Sequence, residues 1–181
     1  MRVTICSSSS ENIDKKYLDS SSPIIDFFAK EGFDLYWGSG SKSLMGLCYD
    51  IFVKYNRKIY GYTTSKYLDE INNLSLASHN VFNTTFDLKK NMFNDADIVL
   101  FLPGGLGTVS EFFAYLEEVR SNDIKKPIIL YNGHGCYDSI IVLLQELINN
   151  SFNTDSVNDL FYVVNSLDEL LIVYKSVLIK E

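Results

Sequence analysis

The stretch Ala96 to Glu118, ADIVLFLPGGLGTVSEFFAYLEE, decides how the rest of the chain is read. Asp97 to Leu102 is a short apolar run ending at Pro103, the composition of a parallel strand buried on both faces. Gly104, Gly105 and Gly107 follow in a turn where the main chain can take conformations barred to other residues and lie against a ligand with no Cβ between them. From about Thr108 the spacing of Phe112, Phe113, Leu116 and Val119 predicts a helix. A glycine turn between a strand end and a helix start aims free N–H groups, and the positive end of the helix dipole, at one point. That arrangement suits a phosphate.

Upstream, Thr84 or Thr85 caps a helix through Asn94 that carries Leu88, Lys89, Met92 and Phe93. Downstream, Lys126-Pro127 leads into a buried strand, Ile128 to Tyr131, then a turn from Asn132 to Gly135 and an amphipathic helix from about Tyr137 to Asn149. Leu160 to Val164 reads as the last strand, and Ser166 with Glu169 as a capping box for a terminal helix ending near Ile179. At the other end, Val3 to Cys6 is a first strand and Ser7 to Ser10 a polar loop after it. Asp14 to Glu31 is helix-like, with Pro23 best placed as the first position of a helix capped by Ser22 and closed by Gly32. Phe33 to Trp37 is a second strand, Gly38-Ser39-Gly40-Ser41 a second glycine junction, and Leu44, Leu47, Ile51 and Phe52 mark the next helix. Lys58 to Tyr62 is a third strand. Thr64 to Ile71 gives weak helix or loop signals, and Val81-Phe82 a short strand within a mixed tract.

This alternation implies an α/β fold: a Rossmann-like, doubly wound parallel sheet with helices on both faces, one domain over residues 1–181. Ligands in such sheets bind beyond the carboxyl ends of the strands, where Ser7 to Ser10, Gly38 to Ser41 and Gly104 to Thr108 would all lie.

Composition narrows the function. At 181 residues with 46% hydrophobic content the chain can build one full core, and its net charge of −7 argues against nonspecific attraction to nucleic acid or anionic membrane. Three scattered cysteines with no CxxC pair, and no apolar run near the ~18 residues of a membrane span, point to a reducing, cytoplasmic setting. No cofactor is expected. Gly38-x-Gly40 is half a dinucleotide fingerprint, but Ser43 stands at the third glycine position, no acidic residue ends the next strand near Tyr62, and there is no GxxxxGK[ST] loop. His79 has no carboxylate or thiol neighbours at metal-ligand spacing and reads as a surface or cleft histidine without a ligand role.

Pro103 to Glu111 matches the pattern PGGxGTxxE in full, and on it the chain resembles the LONELY GUY (LOG) family, once catalogued as lysine-decarboxylase-like. Cys6-Ser7-Ser8-Ser9 is similar to the family's CGSS, Gly38-Ser39-Gly40 with Leu44-Met45-Gly46 to its GGG and GLMG. Lys126-Pro127, Asn132 and Gly135 with Tyr137-Asp138 are similar to its KP, N and GYYD segment. The resemblance implies a Rossmann-like, usually dimeric phosphoribohydrolase that cuts cytokinin nucleoside 5′-monophosphates into free base and ribose 5-phosphate. It implies an AMP-like nucleoside monophosphate as ligand, held by Ser8, Gly38, Gly40, Gly104, Gly105, Gly107 and Thr108, with Glu111 at the ribose and Lys89 assisting.

Two departures stand out. The family's RKxxM reads Leu88-Lys89-Lys90-Asn91-Met92 here, so a leucine that can neither donate a hydrogen bond nor carry charge replaces the arginine, with Lys89, Lys90 or Arg120 as candidate substitutes. Ser7, Ser39 and Ser43 stand where glycines are usual. An alternative function follows from the first departure: a nucleotide-binding or sensing protein without turnover. Thr108-x-x-Glu111 also has the spacing of a capping box, in which Glu111 would merely bond the Thr108 N–H. As a catalyst, Glu111 at the positive end of a helix is expected to be ionised and to act electrostatically, at the ribose or as a base, rather than as an acid.

Overall fold

All four residues of strand β5 (Ile98–Phe101) are buried, with Ile98 and Leu100 facing one apolar cluster and Val99 and Phe101 another. In the computed structural model, which describes residues 1–70, 73–122, 124–153 and 159–178, this strand is the hinge of a seven-stranded parallel sheet. The other strands are β1 (Arg2–Cys6), β2 (Asp34–Trp37), β3 (Ile59–Thr64), β4 (Ser78–Phe82), β6 (Ile128–Tyr131) and β7 (Tyr162–Val164), in the order β4-β3-β2-β1-β5-β6-β7, so that β5 pairs with β1 and β6. The chain steps outward from β1 through β2 and β3 to β4, then returns to the middle and steps the other way from β5. The strand order therefore reverses between β1 and β5, the place where a doubly wound sheet opens a crevice.

Helices α1 (Lys15–Lys30), α2 (Ser43–Lys54) and α6 (Leu167–Leu178) cover one face. Ile24, Ile25, Phe28, Leu44, Cys48, Phe52 and Leu170 pack there on Val3, Ile5, Leu35 and Trp37. Helices α3 (Thr85–Asp95), α4 (Leu106–Asn122) and α5 (Asp138–Asn149) cover the other, with Met92, Phe93, Phe112, Tyr115, Leu116 and Leu144 on Val99, Phe101, Ile128 and Leu130. The expected architecture is the one observed.

Four local expectations are corrected. Helix α1 does not start at Pro23: it is continuous from Lys15, capped by the Asp14 carboxylate, which accepts from the Lys16 N–H at 3.0 Å, and Pro23 lies inside it. Proline removes one backbone bond, but burial of Ser21, Ile24, Ile25 and Phe28 on either side holds the helix together, and the Tyr131 hydroxyl donates to the Ser20 carbonyl at 3.0 Å. Strand β3 runs on to Thr64, and β4 is a full edge strand of five residues. At the start of α6, Ser166 Oγ accepts from the Glu169 N–H as a capping box requires, but the Glu169 carboxylate bonds the Asn165 N–H instead of that of Ser166. The expected end of this helix near Ile179 lies outside the described residues.

The serines in glycine places have a measurable backbone signature. Ser39 and Ser43 have φ of 61° and 54°, the left-handed region that costs an L-residue about 1–2 kcal/mol, and the buried hydroxyls of both are without a hydrogen-bond partner. Ser43→Gly is expected to stabilise the protein by about 1 kcal/mol, raising Tm by roughly 2–4 °C in a scanning calorimeter. A lower Tm would mean that the serine side chain holds the turn.

Candidate functional site

Where the strand order reverses, a cavity of about 640 Å³ opens over the carboxyl ends of the central strands. Its floor and walls come from the segments after β1 (Ser7 to Ser10), after β2 (Gly38 to Gly40), at the end of β3 (Thr63, Thr64), and from α3 and α4. The loop after β1 is tied down on both sides. The Ser8 N–H donates to the Pro103 carbonyl at 3.1 Å, and the Ser8 carbonyl accepts from the Met45 N–H at 3.2 Å. Ser8 Oγ also accepts from the Ser10 N–H at 3.1 Å, so the loop has a fixed shape without a ligand.

Helix α4 begins two residues earlier than its apolar spacing suggests, at Leu106, with the Gly105 carbonyl accepting from the Val109 N–H at 3.0 Å. This sets Gly105 as the capping residue and puts Gly107 and Thr108 in the first turn, where N–H groups have no partner within the helix. Thr108 is consequently not a cap, and the capping-box explanation of Glu111 falls. None of Gly104, Gly105 and Gly107 has a positive φ, so the turn does not need glycine for its conformation. At Gly104 the need is internal, since a Cβ there would collide with the Thr108 side chain. Gly105 and Gly107 are different: a Cβ on either would meet nothing within 4 Å, and both line the cavity. What glycine preserves at these two positions is open space over free amides.

The turn is braced from beneath. The Tyr137 hydroxyl donates to the Leu102 carbonyl at 2.6 Å, the Tyr137 N–H donates to Asn132 Oδ1 at 2.7 Å, and Asn132 Nδ2 donates to Asp138 at 2.8 Å. Residues at the end of β6 thus fix the end of β5. Asn132, Tyr137 and Asp138 have a structural part beneath the turn.

Glu111 lies one turn into α4 and lines the cavity together with Lys89 from α3. Burial pushes its carboxyl up from 4.5 to about 6, opposed by hydrogen bonding with the Cys6 thiol and by the Lys89 charge. The expectation that the helix end favours the ionised form is corrected in degree: desolvation is the largest influence and raises the value, yet the group is still mainly ionised at pH 7. Burial and the neighbouring Glu111 push the Cys6 thiol up in turn, which keeps it protonated and able to donate. Lys89 Nζ donates to Ser110 Oγ at 2.6 Å, spanning from α3 to α4.

Ser8, Gly38, Gly40, Gly105, Gly107, Thr108, Lys89 and Glu111 therefore share one cavity, while Gly104 stands behind it. Leu88 lines it too. Of the candidate replacements for the missing arginine, Lys90 is exposed and Arg120 pairs with Glu117 at 2.9 Å near the far end of α4, and neither lines the cavity. The sequence reading missed Cys6 as a side chain, along with Met45, Thr63, Thr64, Tyr67, Thr85 and Met92. The rule placing ligands beyond strand ends points to Thr63 and Thr64 once β3 is drawn two residues longer. His79 is on the exposed side of edge strand β4, as expected. No helix among the described residues is long and apolar enough to cross a membrane.

Known proteins resemble this chain in sequence and in fold. A family model described as "Possible lysine decarboxylase" matches residues 45–173. A rice protein named as probable cytokinin riboside 5′-monophosphate phosphoribohydrolase LOG4 (Oryza sativa subsp. japonica) is 28% identical over 139 residues, 76% of this chain and 60% of its own length. The Arabidopsis thaliana phosphoribohydrolase LOG2 is 26% identical over 92% of this chain and 78% of its own. Among solved structures, a molybdenum cofactor binding protein from Rippkaea orientalis superposes with a TM-score of 0.67 at 21% identity, covering 97% of this chain and 96% of its own, which shows a shared fold.

Proposed function

We propose, from the premise that this chain belongs to the lysine-decarboxylase-like (LOG) family, that it is a phosphoribohydrolase of nucleoside 5′-monophosphates. The phosphate sits on the amides of Gly105, Gly107 and Thr108, and the ribose faces Glu111. Breaking the C1′–N bond sends its electron pair to the base and leaves positive charge on the sugar. Water then adds its oxygen to C1′, and the proton it loses is balanced by the one the departing base gains, giving free base and ribose 5-phosphate. An ionised carboxylate held beside C1′ stabilises that charge more in the transition state than in the ground state.

The observation that supports this reading best is the pairing, on one rigid helix and in one cavity, of an amide-lined end kept open by Gly105 and Gly107 with the carboxylate of Glu111. The test is chromatography of AMP and isopentenyl-AMP incubated with the purified protein. Free base should appear at a rate far above that of Glu111→Gln, and equal rates would end the reading for those substrates. Gly107→Ala separates the cradle from the fold. A methyl group there meets no protein atom and suits a helix, so Tm should hold or rise, while affinity for AMP falls about tenfold or more because the methyl fills the phosphate's place. Unchanged affinity would remove the phosphate from this turn.

Leu88 favours a second reading, a nucleotide-binding protein without turnover. Calorimetry would then show AMP bound and recovered intact. A homodimer is part of the proposal as well, and sedimentation at micromolar concentration should give twice the 20.6 kDa of the chain.

A further inference from the structure

Tyr67 is a large side chain that core packing does not account for: it is 45% exposed, and it belongs to neither apolar cluster of the sheet. It lies in a short 3-10 segment (Ser65–Glu70) directly after β3, and its own φ and ψ of −115° and 16° break that segment into two turns. Tyr67 lines the cavity, and among the described lining residues it is the one aromatic. Lys66 Nζ lies over the ring, 5.1 Å from its centroid.

The strand order fixes how far this ring is from the glycine turn. From β5 to β3 the sheet passes β1 and β2, three strand spacings or about 14 Å. That separation accommodates a sugar and a ring beyond a phosphate held at α4, but not a second nucleotide. The lining also includes Met45, Leu88 and Met92, with the hydroxyls of Thr64 at the end of β3 and Thr85 at the start of α3. Apolar walls, a few hydroxyls and one partly open aromatic ring match the flat face and polar edge of a heteroaromatic base.

We infer that Tyr67 is the base-stacking residue of the site and the main determinant of affinity for the base, as distinct from the sugar phosphate. The inference rests on the nucleotide reading above. It is tested by calorimetry on the full chain carrying Glu111→Gln, which keeps the nucleotide whole, with AMP and ribose 5-phosphate as the two probes. Adding Tyr67→Ala should weaken AMP binding about tenfold or more, leave ribose 5-phosphate within twofold, and be rescued by Tyr67→Phe. Unchanged AMP affinity in Tyr67→Ala, or equal losses for both probes, would overturn the stacking role while leaving the phosphate cradle standing. Failure of both probes to bind the protein with Tyr67 intact, and to bind wild type, would overturn the nucleotide reading and the inference with it.

Discussion

Glu111→Gln is expected to lower turnover of nucleoside monophosphates by about 10²- to 10³-fold with little change in KM, the size of effect seen when one preorganised group facing developing charge is removed. Glutamine keeps the shape of the side chain and removes the negative charge that would face the ribose. The pH profile supplies an independent reading. Because burial holds the Glu111 carboxyl at about 6, the ionised form is lost as pH falls through that value, and kcat should fall along an acidic limb near pH 6. In Glu111→Gln the residual rate should show no such limb. A wild-type limb near 4.5 would mean that the carboxylate is solvated, and its role as a buried counter-charge would be lost.

The same shift makes a stability statement of opposite sign. A carboxyl whose folded value is raised from 4.5 to about 6 favours folding fully below 4.5, and that contribution is lost as pH rises through 6. At pH 8 the ionised, desolvated side chain thus costs up to about 2 kcal/mol relative to a neutral one. Glu111→Gln should therefore melt higher than wild type at pH 8, with the gap closing towards pH 4.5. A less active and more stable variant is the expected behaviour of a charge held in place for function.

How far the sequence carries depends on which physical signal each residue leaves. The β5-turn-α4 unit was legible because an apolar run, a glycine cluster and a helical period are all local, and each is required by burial or by close approach. Pro23 was misread because its cost is local, whereas the burial that overrides it comes from strands remote in sequence. The start of α4 was set two residues late because Leu106, exposed at the mouth of the cavity, breaks the apolar spacing that marks the rest of the helix. Cys6 looked like a strand residue, and only the packing of β1 against α4 brings its thiol to Glu111. Tyr67 and the two threonines before it carry no charge, glycine or periodicity, so their place depends on sheet order, which spacing alone does not give.

Leu88→Arg is expected to raise turnover about 10- to 100-fold if the chain is an impaired catalyst, the range that one hydrogen bond to a charged group supplies. Leu88 lines the cavity from α3, next in sequence to Lys89, so an arginine there brings five donors into a site that otherwise holds one cation among the described lining residues. The electrostatic consequence can be read separately from rate. A second positive charge near Glu111 favours its ionised form, so the acidic limb should move down from about 6 towards 4.5 in the same variant. Leu88 also packs at the margin of the cluster beneath α3, so Tm must be measured alongside. A folded Leu88→Arg protein with neither a faster rate nor a shifted limb would show that this position does not limit the reaction. Leu88→Lys then separates charge from geometry, because a lysine supplies the charge without the planar fork that grips two oxygens at once. Equal gains from both would assign the deficit to missing charge. A gain from arginine alone would assign it to bidentate contact with the phosphate or ribose, and would make the leucine the reason that a complete glycine turn and glutamate turn over slowly.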